Sequence, residues 1–384
     1  MRRILFYRAG SCNELRIIDN LKRMSYEVCV LAKECKNNDM DAELAEQIFA
    51  MIHGKKTDMI LSVDYYPIVA EVAHVAGIAY ACWIIDAPHY TLYSTSSFYD
   101  SSYIFHFDRE ECERLKAMGR PSVYYLPLAS DPLYFGNVIK KSPVRKMKDV
   151  VFLGSSYQNE HDYFEKKKGL GEQDRGYLDG LMSAQSCIYG ASLIAEAMPE
   201  ELQQRLIEAC SLSWPETYDI PQALIAATIV EKKLSVIERK KIVAMLADEF
   251  GITLYSESDA LKQNGVEYMG YADYETEMPL AFRYGRININ PTLRNIHSGI
   301  PLRALDIMAC GGFLLSNYQP ELAEYFTEGE SAAMYGSLEE LRDKVAWYLE
   351  HEEERAAVAA KGLETVKNCF TYEKALGEML NLVG

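Results

Sequence analysis

Short apolar runs alternate with amphipathic segments along the first 140 residues. The apolar runs have the length of buried strands and lie at residues 3–7, 27–31, 59–62, 78–85, 103–107 and 122–126. Apolar residues at helical spacing between them predict helices over residues 15–21, 42–52, 68–76 and 109–118. Strands that alternate with helices through short connections are typical of a doubly wound α/β domain, which we expect here.

The run at residues 137–148 interrupts this rhythm, because it is basic, contains Pro143 and has no amphipathic period. We interpret it as a linker between an N-terminal domain (residues 1–140) and a C-terminal domain (residues 149–370). Apolar runs predict a second sheet, with strands at residues 150–153, 252–255, 266–269, 287–290 and 313–316.

Residues of about 160–250 have a mostly helical pattern, and we expect them to form a helical insertion in the second domain. A charged, tyrosine-rich segment at residues 163–177 belongs to this region but has no clear period. Further along, Ser337 and Glu340 have the spacing of a capping box that opens a helix. Leu376 and Met379 mark a terminal helix.

Composition and charge narrow the class of partner. The 384 residues are 49% apolar and 25% charged, which suits two globular domains without extended disorder. The formal net charge of −16 disfavours nucleic acid or an anionic membrane as the main partner, since both require a basic surface. No stretch has the length of a signal peptide or a membrane span, so we expect no transmembrane segment.

Cysteine usage favours a reducing compartment. The nine cysteines are scattered, with no Cys-x-x-Cys pair and no histidine at zinc spacing. Free thiols in odd number are typical of cytoplasmic proteins, and we expect a cytoplasmic monomer or homodimer. The one Asp-x-Asp sequence, Asp39 to Asp41, precedes a helix and is interpreted as a cap, so no metal is predicted.

The segment at residues 298–316 has the pattern of a diphosphate-binding helix. Gly299 and Pro301 suit a turn and a first helical position, and apolar residues at helical spacing follow as far as the Gly311–Gly312 pair. A helix N terminus offers backbone N–H groups and a positive dipole to phosphate. Arg303 in the first turn then suits a nearby anion, and Asp306 one turn later suits a ribose diol. An ordinary amphipathic helix with a glycine cap is the alternative.

The same segment carries a family resemblance. Retaining glycosyltransferases of the two-domain GT-B type have a Glu-x7-Glu segment written roughly E-G-F-G-x-x-x-x-E-A-M-A-x-G, and this chain reads S-G-I-P-L-R-A-L-D-I-M-A-C-G. Ser298 thus replaces the first Glu and Asp306 replaces the second. The whole chain resembles the CgeB-like glycosyltransferases of spore-forming bacteria, through residues 4–11, 83–88, 151–155, 299–303, 310–315, 317–322 and 371–372.

This resemblance implies an α/β GT-B fold, with two Rossmann-like domains facing a cleft and a terminal helix (371–384) folded back on the first. The implied activity is metal-independent transfer of a sugar from a nucleotide-diphosphate sugar, with UDP favoured, to a protein, glycan or small-molecule acceptor. Retention of configuration is favoured over inversion. The donor-sugar contact of the first Glu has no counterpart at Ser298, whereas the ribose contact survives in shortened form at Asp306.

Candidate donor-binding residues follow predicted strands or open the diphosphate helix. Glycine turns after strands allow close approach of a ligand to the backbone, although most such turns have no ligand. Tyr271 is placed by the resemblance where a nucleobase stacks, and Arg294 and Arg303 match phosphate oxygens unless they form surface ion pairs. The predicted donor-binding set is Gly10, Ser11, Gly154, Ser155, Tyr271, Arg294, Ser298, Gly299, Ile300, Arg303 and Asp306.

Candidate catalytic residues are Asp86, His89 and Arg303. Asp86 and His89 follow the fourth predicted strand, on the acceptor side, where they suit binding of the transferred sugar or activation of an acceptor hydroxyl. Glu14 is a second candidate base. Asp86 as a simple helix cap is the alternative for that residue.

Two other functions fit the same residues. A sugar-nucleotide epimerase on this fold would turn over the donor without a second substrate. A non-catalytic sugar-nucleotide-binding or scaffold protein is favoured by the absence of the first Glu.

Overall fold

The structure is a computed structural model that describes residues 2–158, 164 and 169–384. It divides into two compact units. Unit 1 comprises Met1–Ala129, Trp214–Ile220 and Phe370–Gly384. Unit 2 comprises Ser130–Ser213 and Pro221–Cys369.

Unit 1 is built on a six-stranded parallel sheet in the order β2-β1-β3-β4-β5-β6. The chain runs from β1 to β2 on one side and then crosses to β3 on the other, so the order reverses between β1 and β3. In such sheets ligands bind beyond the carboxyl ends of the strands at this switch point. The strands are β1 (Arg3–Arg8), β2 (Glu27–Ala32), β3 (Met59–Val63), β4 (Ala79–Ile84), β5 (Ser102–His106) and β6 (Val123–Tyr125).

Unit 2 has a second six-stranded sheet in the order β12-β11-β10-β7-β8-β9, with three strands on each side of its switch point. All of its pairings are parallel, and its switch point lies between β7 and β10. The strands are β7 (Lys148–Leu153), β8 (Ile252–Tyr255), β9 (Val266–Gly270), β10 (Gly285–Asn290), β11 (Leu314–Asn317) and β12 (Ala333–Tyr335).

Helices cover the two sheets. Short 3-10 turns follow β4 at Tyr90–Tyr93 and Thr95–Phe98. The helices of the described residues, in chain order, are α1 (Glu14–Arg23), α2 (Ala42–Gly54), α3 (Pro67–Ala76), α4 (Arg109–Ala117), α5 (Pro132–Lys141), α6 (Glu172–Ser186), α7 (Ile194–Ala197), α8 (Glu200–Ala209), α9 (Gln222–Glu249), α10 (Met278–Arg283), α11 (Leu302–Ala309), α12 (Pro320–Tyr325), α13 (Leu338–Glu350), α14 (Glu352–Cys369) and α15 (Tyr372–Val383).

Two doubly wound parallel sheets confirm the predicted fold class. The apolar runs of β1, β3, β4 and β8 are buried central strands, because both of their faces are covered, whereas β2 and β9 are partly exposed edge strands. In unit 1 the last helix packs on the first: α15 contacts α1, and the Tyr372 ring meets the Trp83 ring edge-on at a centroid distance of 6.0 Å. The apolar side chains of β7, β8 and β10 form the core of unit 2, together with one face of α9.

Three local expectations need correction. Residues 137–141 of the predicted linker form the end of α5, whose amide N–H at Tyr134 is capped by Asp131. The sequence patterns gave neither β12 nor α14. The capping box at Ser337 is present, but the Glu340 carboxylate accepts from the Gly336 N–H, one residue earlier than in the standard motif.

The predicted insertion is helical in its described part, where α6 to α9 cover one side of unit 2. Residues 160–163 and 165–168 of that prediction lie outside the described residues, and so does the start of the tyrosine-rich segment. Trp214–Ile220, between α8 and α9, belongs to unit 1, where the Tyr218 hydroxyl donates to Asp39.

None of the helices in the described ranges combines the length and the apolar character that crossing a bilayer requires.

Candidate functional site

The switch point of unit 2 is occupied by Arg303. Gly154 directly follows β7, and Asn290 ends β10, the neighbouring strand. Nη1 of Arg303 donates to Oδ1 of Asn290 at 3.4 Å. A Cβ atom on Gly154 would lie 3.0 Å from Nη2 of Arg303, a tight contact, so glycine lets the guanidinium lie close to this turn. The first turn of α11 therefore brings Arg303 over the ends of both central strands.

Arg239, from the middle of α9, reaches the same turn. Its Nη1 donates to the Ser155 carbonyl at 2.5 Å and its Nη2 to the Pro291 carbonyl at 2.8 Å. The guanidinium also lies over the rings of Phe152 and Tyr157. Arg239 is only 2% exposed and its Nε has no hydrogen-bond partner. Burial lowers the pKa of Arg239 to about 10.

Neither guanidinium is neutralised by a carboxylate. Among the described residues Arg239 and Arg303 form no ion pair, and the charge of Arg303 adds to the effect of burial in lowering the pKa of Arg239. The N terminus of α11 adds to this field, because its cap residue Pro301 has no side chain to satisfy the first N–H groups. A buried cation without a counter-ion is costly, so this arrangement is suited to an anion.

The signal for Arg239 in the sequence was misleading. It lies in the charged run Glu238–Lys241 of a long helix, a pattern that is typical of a solvated face. The helix is instead buried along much of its length, including Glu238 and Arg239. Arg239 was therefore not among the predicted site residues.

Ser298 forms a hydrogen bond with a carboxylate from another part of the chain. Its hydroxyl donates to Oε1 of Glu321 at 2.6 Å, and the Glu321 N–H donates to the Ser298 carbonyl. Glu321 is 1% exposed in the first turn of α12. Gly299 and Ile300 follow as buried backbone. The side chain that replaces the expected Glu thus holds a glutamate 23 residues further along the chain.

The expected ribose contact of Asp306 needs correction. Asp306 is 1% exposed and lies on the inner side of α11. It accepts from the Ser130 hydroxyl at 2.6 Å and from the Tyr274 hydroxyl at 3.1 Å. Burial raises the pKa of Asp306 to about 7, against the effect of these two donors. Asp306 ties α11 to two loops within unit 2 and presents no open surface to a ribose.

Arg294 also has other partners than those expected. Its Nε and Nη2 donate to the two carboxylate oxygens of Glu238 at 2.9 and 2.8 Å, and its guanidinium stacks over the Tyr189 ring. It is a buried structural ion pair between the loop after β10 and α9, so we remove it from the phosphate-binding set. The ion pair of the alternative interpretation is present, but it is buried instead of lying at the surface.

Tyr271 and Ser155 keep positions compatible with their predicted roles. Tyr271 follows β9 and is 62% exposed, as a base-stacking ring must be. Ser155 follows Gly154, and its hydroxyl accepts from the Tyr157 N–H at 2.9 Å. Both remain predictions.

In unit 1 the ends of β1 and β4 carry the remaining candidates. Gly10 has φ of 112°, a conformation that favours glycine, and Ser11 follows it. Asp86 is exposed, and no helix begins at it, which removes the interpretation of Asp86 as a cap. His89 is partly buried: its Nε2 lies 3.3 Å from both the N and the O of Tyr65.

Glu14 is fully buried, and its carboxylate is bonded to groups of the turn that precedes it. Its carboxylate accepts from the N–H groups of Ala9 and Gly10 at 2.8 and 3.0 Å and pairs with Nε of Arg8 at 3.1 Å. It therefore stabilises the turn between β1 and α1, and we withdraw it as a candidate base.

Among the described residues, no group of three or more His, Cys, Asp or Glu side chains has the geometry to hold a metal ion. The Asp-x-Asp sequence acts as a cap, as expected, since Asp41 accepts from the Leu44 N–H that opens α2.

Comparison with known proteins supports a relation of the second half of the chain to glycosyltransferases. Residues 239–381, less than half of the chain, match the model of the glycosyl transferase-like family. Curated protein sequences give no match. The matched range begins at Arg239 and includes Arg303, Asp306 and Glu321.

Solved glycosyltransferase structures share the fold over nearly the whole chain. Sucrose-phosphate synthase from Thermosynechococcus elongatus has a TM-score of 0.57 at 10% identity, covering 100% of this chain and 98% of that one. The α,α-trehalose-phosphate synthase (UDP-forming) from Burkholderia vietnamiensis has 0.54 at 12%, covering 99% and 96%. Anabaena Alr3699/HepE, in complex with UDP-glucose, has 0.53 at 12%, covering 99% and 100%. The chain has the GT-B fold.

Proposed function

We propose that this protein transfers a sugar from a UDP-sugar to a hydroxyl-bearing acceptor, without a metal ion and with retention of configuration. The family match in unit 2 and the GT-B fold support the reaction class. Anabaena Alr3699/HepE, which shares the fold, was solved in complex with UDP-glucose, and this supports the choice of uridine as the base.

One observation carries the proposal: two guanidinium groups without carboxylate partners meet at the switch point of unit 2. A fixed pair of cations at a helix N terminus is an anion site, and its two charges match the diphosphate of a nucleotide sugar. Gly154 leaves the space through which Arg303 reaches this position. The same charges replace the metal ion that other transferases use to stabilise the departing diphosphate.

In the proposed reaction the bond between the anomeric carbon and the β-phosphate oxygen breaks, and a bond from that carbon to the acceptor oxygen forms. The negative charge that develops on the leaving UDP is stabilised by Arg303 and Arg239. The acceptor proton passes to a phosphate oxygen on the same face of the sugar, which is why a retaining transfer needs no carboxylate base. Glu321 is buried and accepts from the Ser298 hydroxyl, so it fixes the loop before α11 to α12.

The proposal is tested with a panel of UDP-, GDP- and ADP-sugars in calorimetry and in an assay of nucleotide release, with and without EDTA. We expect a UDP-sugar to bind at micromolar concentration and UDP release to be insensitive to EDTA. NMR of the product with a saccharide acceptor should show the donor's anomeric configuration. Absence of binding and of release at millimolar donor would contradict the proposal, and isomerised donor without UDP release would favour the epimerase.

A further inference from the structure

An unassigned carboxylate, Asp64, lies at the switch point of unit 1. It directly follows β3, the strand beside β1 across which the order of the sheet reverses. Its backbone has φ of 60°, the left-handed region, which a non-glycine residue adopts at a cost of about 1 kcal/mol or more. Asp64 is 6% exposed. Left-handed residues that are also buried and charged are concentrated at functional sites.

The Asp64 carboxylate fixes the turn that follows β4. Its Oδ1 accepts from the Ile85 N–H at 3.0 Å and lies 4.0 Å from Nδ1 of His89. Tyr65, the next residue, also contacts this turn. Its carbonyl accepts from the Thr91 hydroxyl at 2.6 Å and lies 3.3 Å from Nε2 of His89. The residues before and after Asp86 are thus both held by the end of β3.

We propose that Asp64 is the positioning residue of an acceptor site at the switch point of unit 1, where it holds Asp86 and His89 for contact with an acceptor hydroxyl. This inference rests on the proposed function, and it adds the acceptor side to it. An exposed carboxylate and a partly exposed imidazole are suited to hydroxyl groups, as both accept hydrogen bonds.

The energetics of Asp64 argue against a purely structural role. Burial raises the pKa of Asp64 from 3.8 to about 6, opposed by His89 and by the N–H groups of Ile85 and Asp86, and reinforced by the Asp86 carboxylate. The Cys82 thiol and the Tyr66 hydroxyl also face this charge. Because the folded pKa is raised, Asp64 lowers stability progressively as the pH rises from about 4 to about 6. A residue kept for stability alone would not carry this cost.

The test compares Asp64→Asn with Asp41→Asn, a matched change at another buried aspartate after a strand of the same sheet, whose carboxylate accepts from the N–H groups of Leu44 and Lys36. We expect Asp64→Asn to lower kcat for transfer about 100-fold, because the neutral amide no longer orients His89 by charge, while the Kd for UDP changes less than twofold. At pH 8 its melting temperature should rise by about 3 °C, and at pH 4.5 this difference should vanish. Asp41→Asn should show none of these changes.

Amide hydrogen exchange of the unliganded protein supplies a second readout that needs no substrate. Asp64→Ala, which removes the acceptor of the Ile85 N–H, should speed exchange at Ile85 and Asp86 at least tenfold, and Asp64→Asn should not. The inference is overturned if the wild type transfers sugar and Asp64→Asn keeps its kcat, or if Asp64→Asn melts lower at pH 8. A wild type that binds no UDP would instead defeat the proposed function itself.

Discussion

Each of the two parallel sheets has a switch point at its carboxyl edge, and the side chains at the two switch points carry opposite charges. At the switch point of unit 2 the side chains are Arg239 and Arg303, two guanidinium groups without carboxylates. At the switch point of unit 1 they are Asp64 and, after the next strand, Asp86. Each edge carries an excess of one charge at the place where the fold binds ligands.

This difference shows how one architecture can be divided between two ligands. Phosphate requires cations and free N–H groups, whereas a neutral hydroxyl-bearing acceptor requires hydrogen-bond acceptors. Both edges keep an uncompensated buried charge, which lowers the stability of the empty protein. We interpret these charges as the functional residues of each unit, and the following experiments test this contrast from the largest expected effect to the smallest.

Replacing Arg303 should break the basic edge. We expect Arg303→Ala to reduce transfer at least 100-fold and to weaken UDP binding, since a charge-assisted contact to the diphosphate is lost. Its melting temperature should stay near that of the wild type. Arg286→Ala is the matched control, because Arg286 lies at the opposite end of β10 and pairs with the exposed Asp149. Equal activity of the two variants would remove Arg303 from the site.

Asp306→Asn tests whether the Asp306 carboxylate holds α11 in place or binds the ribose of the donor. The folded pKa of Asp306 is raised from 3.8 to about 7, so the wild type loses stability as the pH rises through this range. The amide oxygen of Asn still accepts from Ser130 but carries no charge. At pH 8 we therefore expect the free energy of unfolding of Asp306→Asn to exceed that of the wild type by up to about 4 kcal/mol, and at pH 4 we expect little difference. Chemical denaturation at the two pH values measures this.

The donor KM of Asp306→Asn completes that test. Because Asp306 is buried, we expect the donor KM of the variant to lie within about threefold of the wild-type KM. A threefold change corresponds to about 0.7 kcal/mol, which is less than the loss of one typical hydrogen bond to the donor. A large rise in KM would restore the ribose contact that the resemblance implied.

Gly154→Ala sharpens the geometry of the basic edge. The added methyl group would meet Nη2 of Arg303 at 3.0 Å and displace the guanidinium. We expect UDP binding to weaken about tenfold, or about 1.4 kcal/mol, in calorimetry. Because Gly154 does not need a left-handed backbone, folding should be little affected, and Gly171→Ala, at an open position before α6, is the control. Wild-type affinity in Gly154→Ala would place the ligand away from this turn.

Tyr271→Ala gives the smallest expected effect. Loss of a stacking ring should weaken UDP binding about fivefold, or about 1 kcal/mol, whereas Tyr271→Phe should bind normally. Inorganic diphosphate should bind Tyr271→Ala and the wild type equally, since it has no base. A weaker diphosphate affinity in Tyr271→Ala would show that the ring does not act through the base.

The strands, most helices and the fold class were predictable from the sequence because continuous apolar runs and amphipathic periods are local signals. β12 was missed because three residues carry no period, and the end of α5 because its lysines are exposed. The site was predictable only where a local motif marks it, as at Gly154 and Arg303.

The remaining site features depend on contacts between residues far apart in the chain. Arg239 bonds to Ser155 across 84 positions, and Ser130 to Asp306 across 176. Folding buries Arg239 of a charged helix face at the strand ends, and it buries Asp306 between Ser130 and Tyr274. Asp64 gave no sequence signal, since its left-handed backbone and its bond to Ile85 arise only in the folded sheet.

The central claim, that two unpaired guanidinium groups bind the diphosphate, is tested most directly by calorimetry of UDP and of uridine with the wild type and Arg239→Met. The wild type should bind UDP at least 100-fold more tightly than uridine, because only UDP supplies the missing anion. In Arg239→Met this ratio should fall about tenfold or more while uridine affinity stays the same. An unchanged ratio would contradict the account.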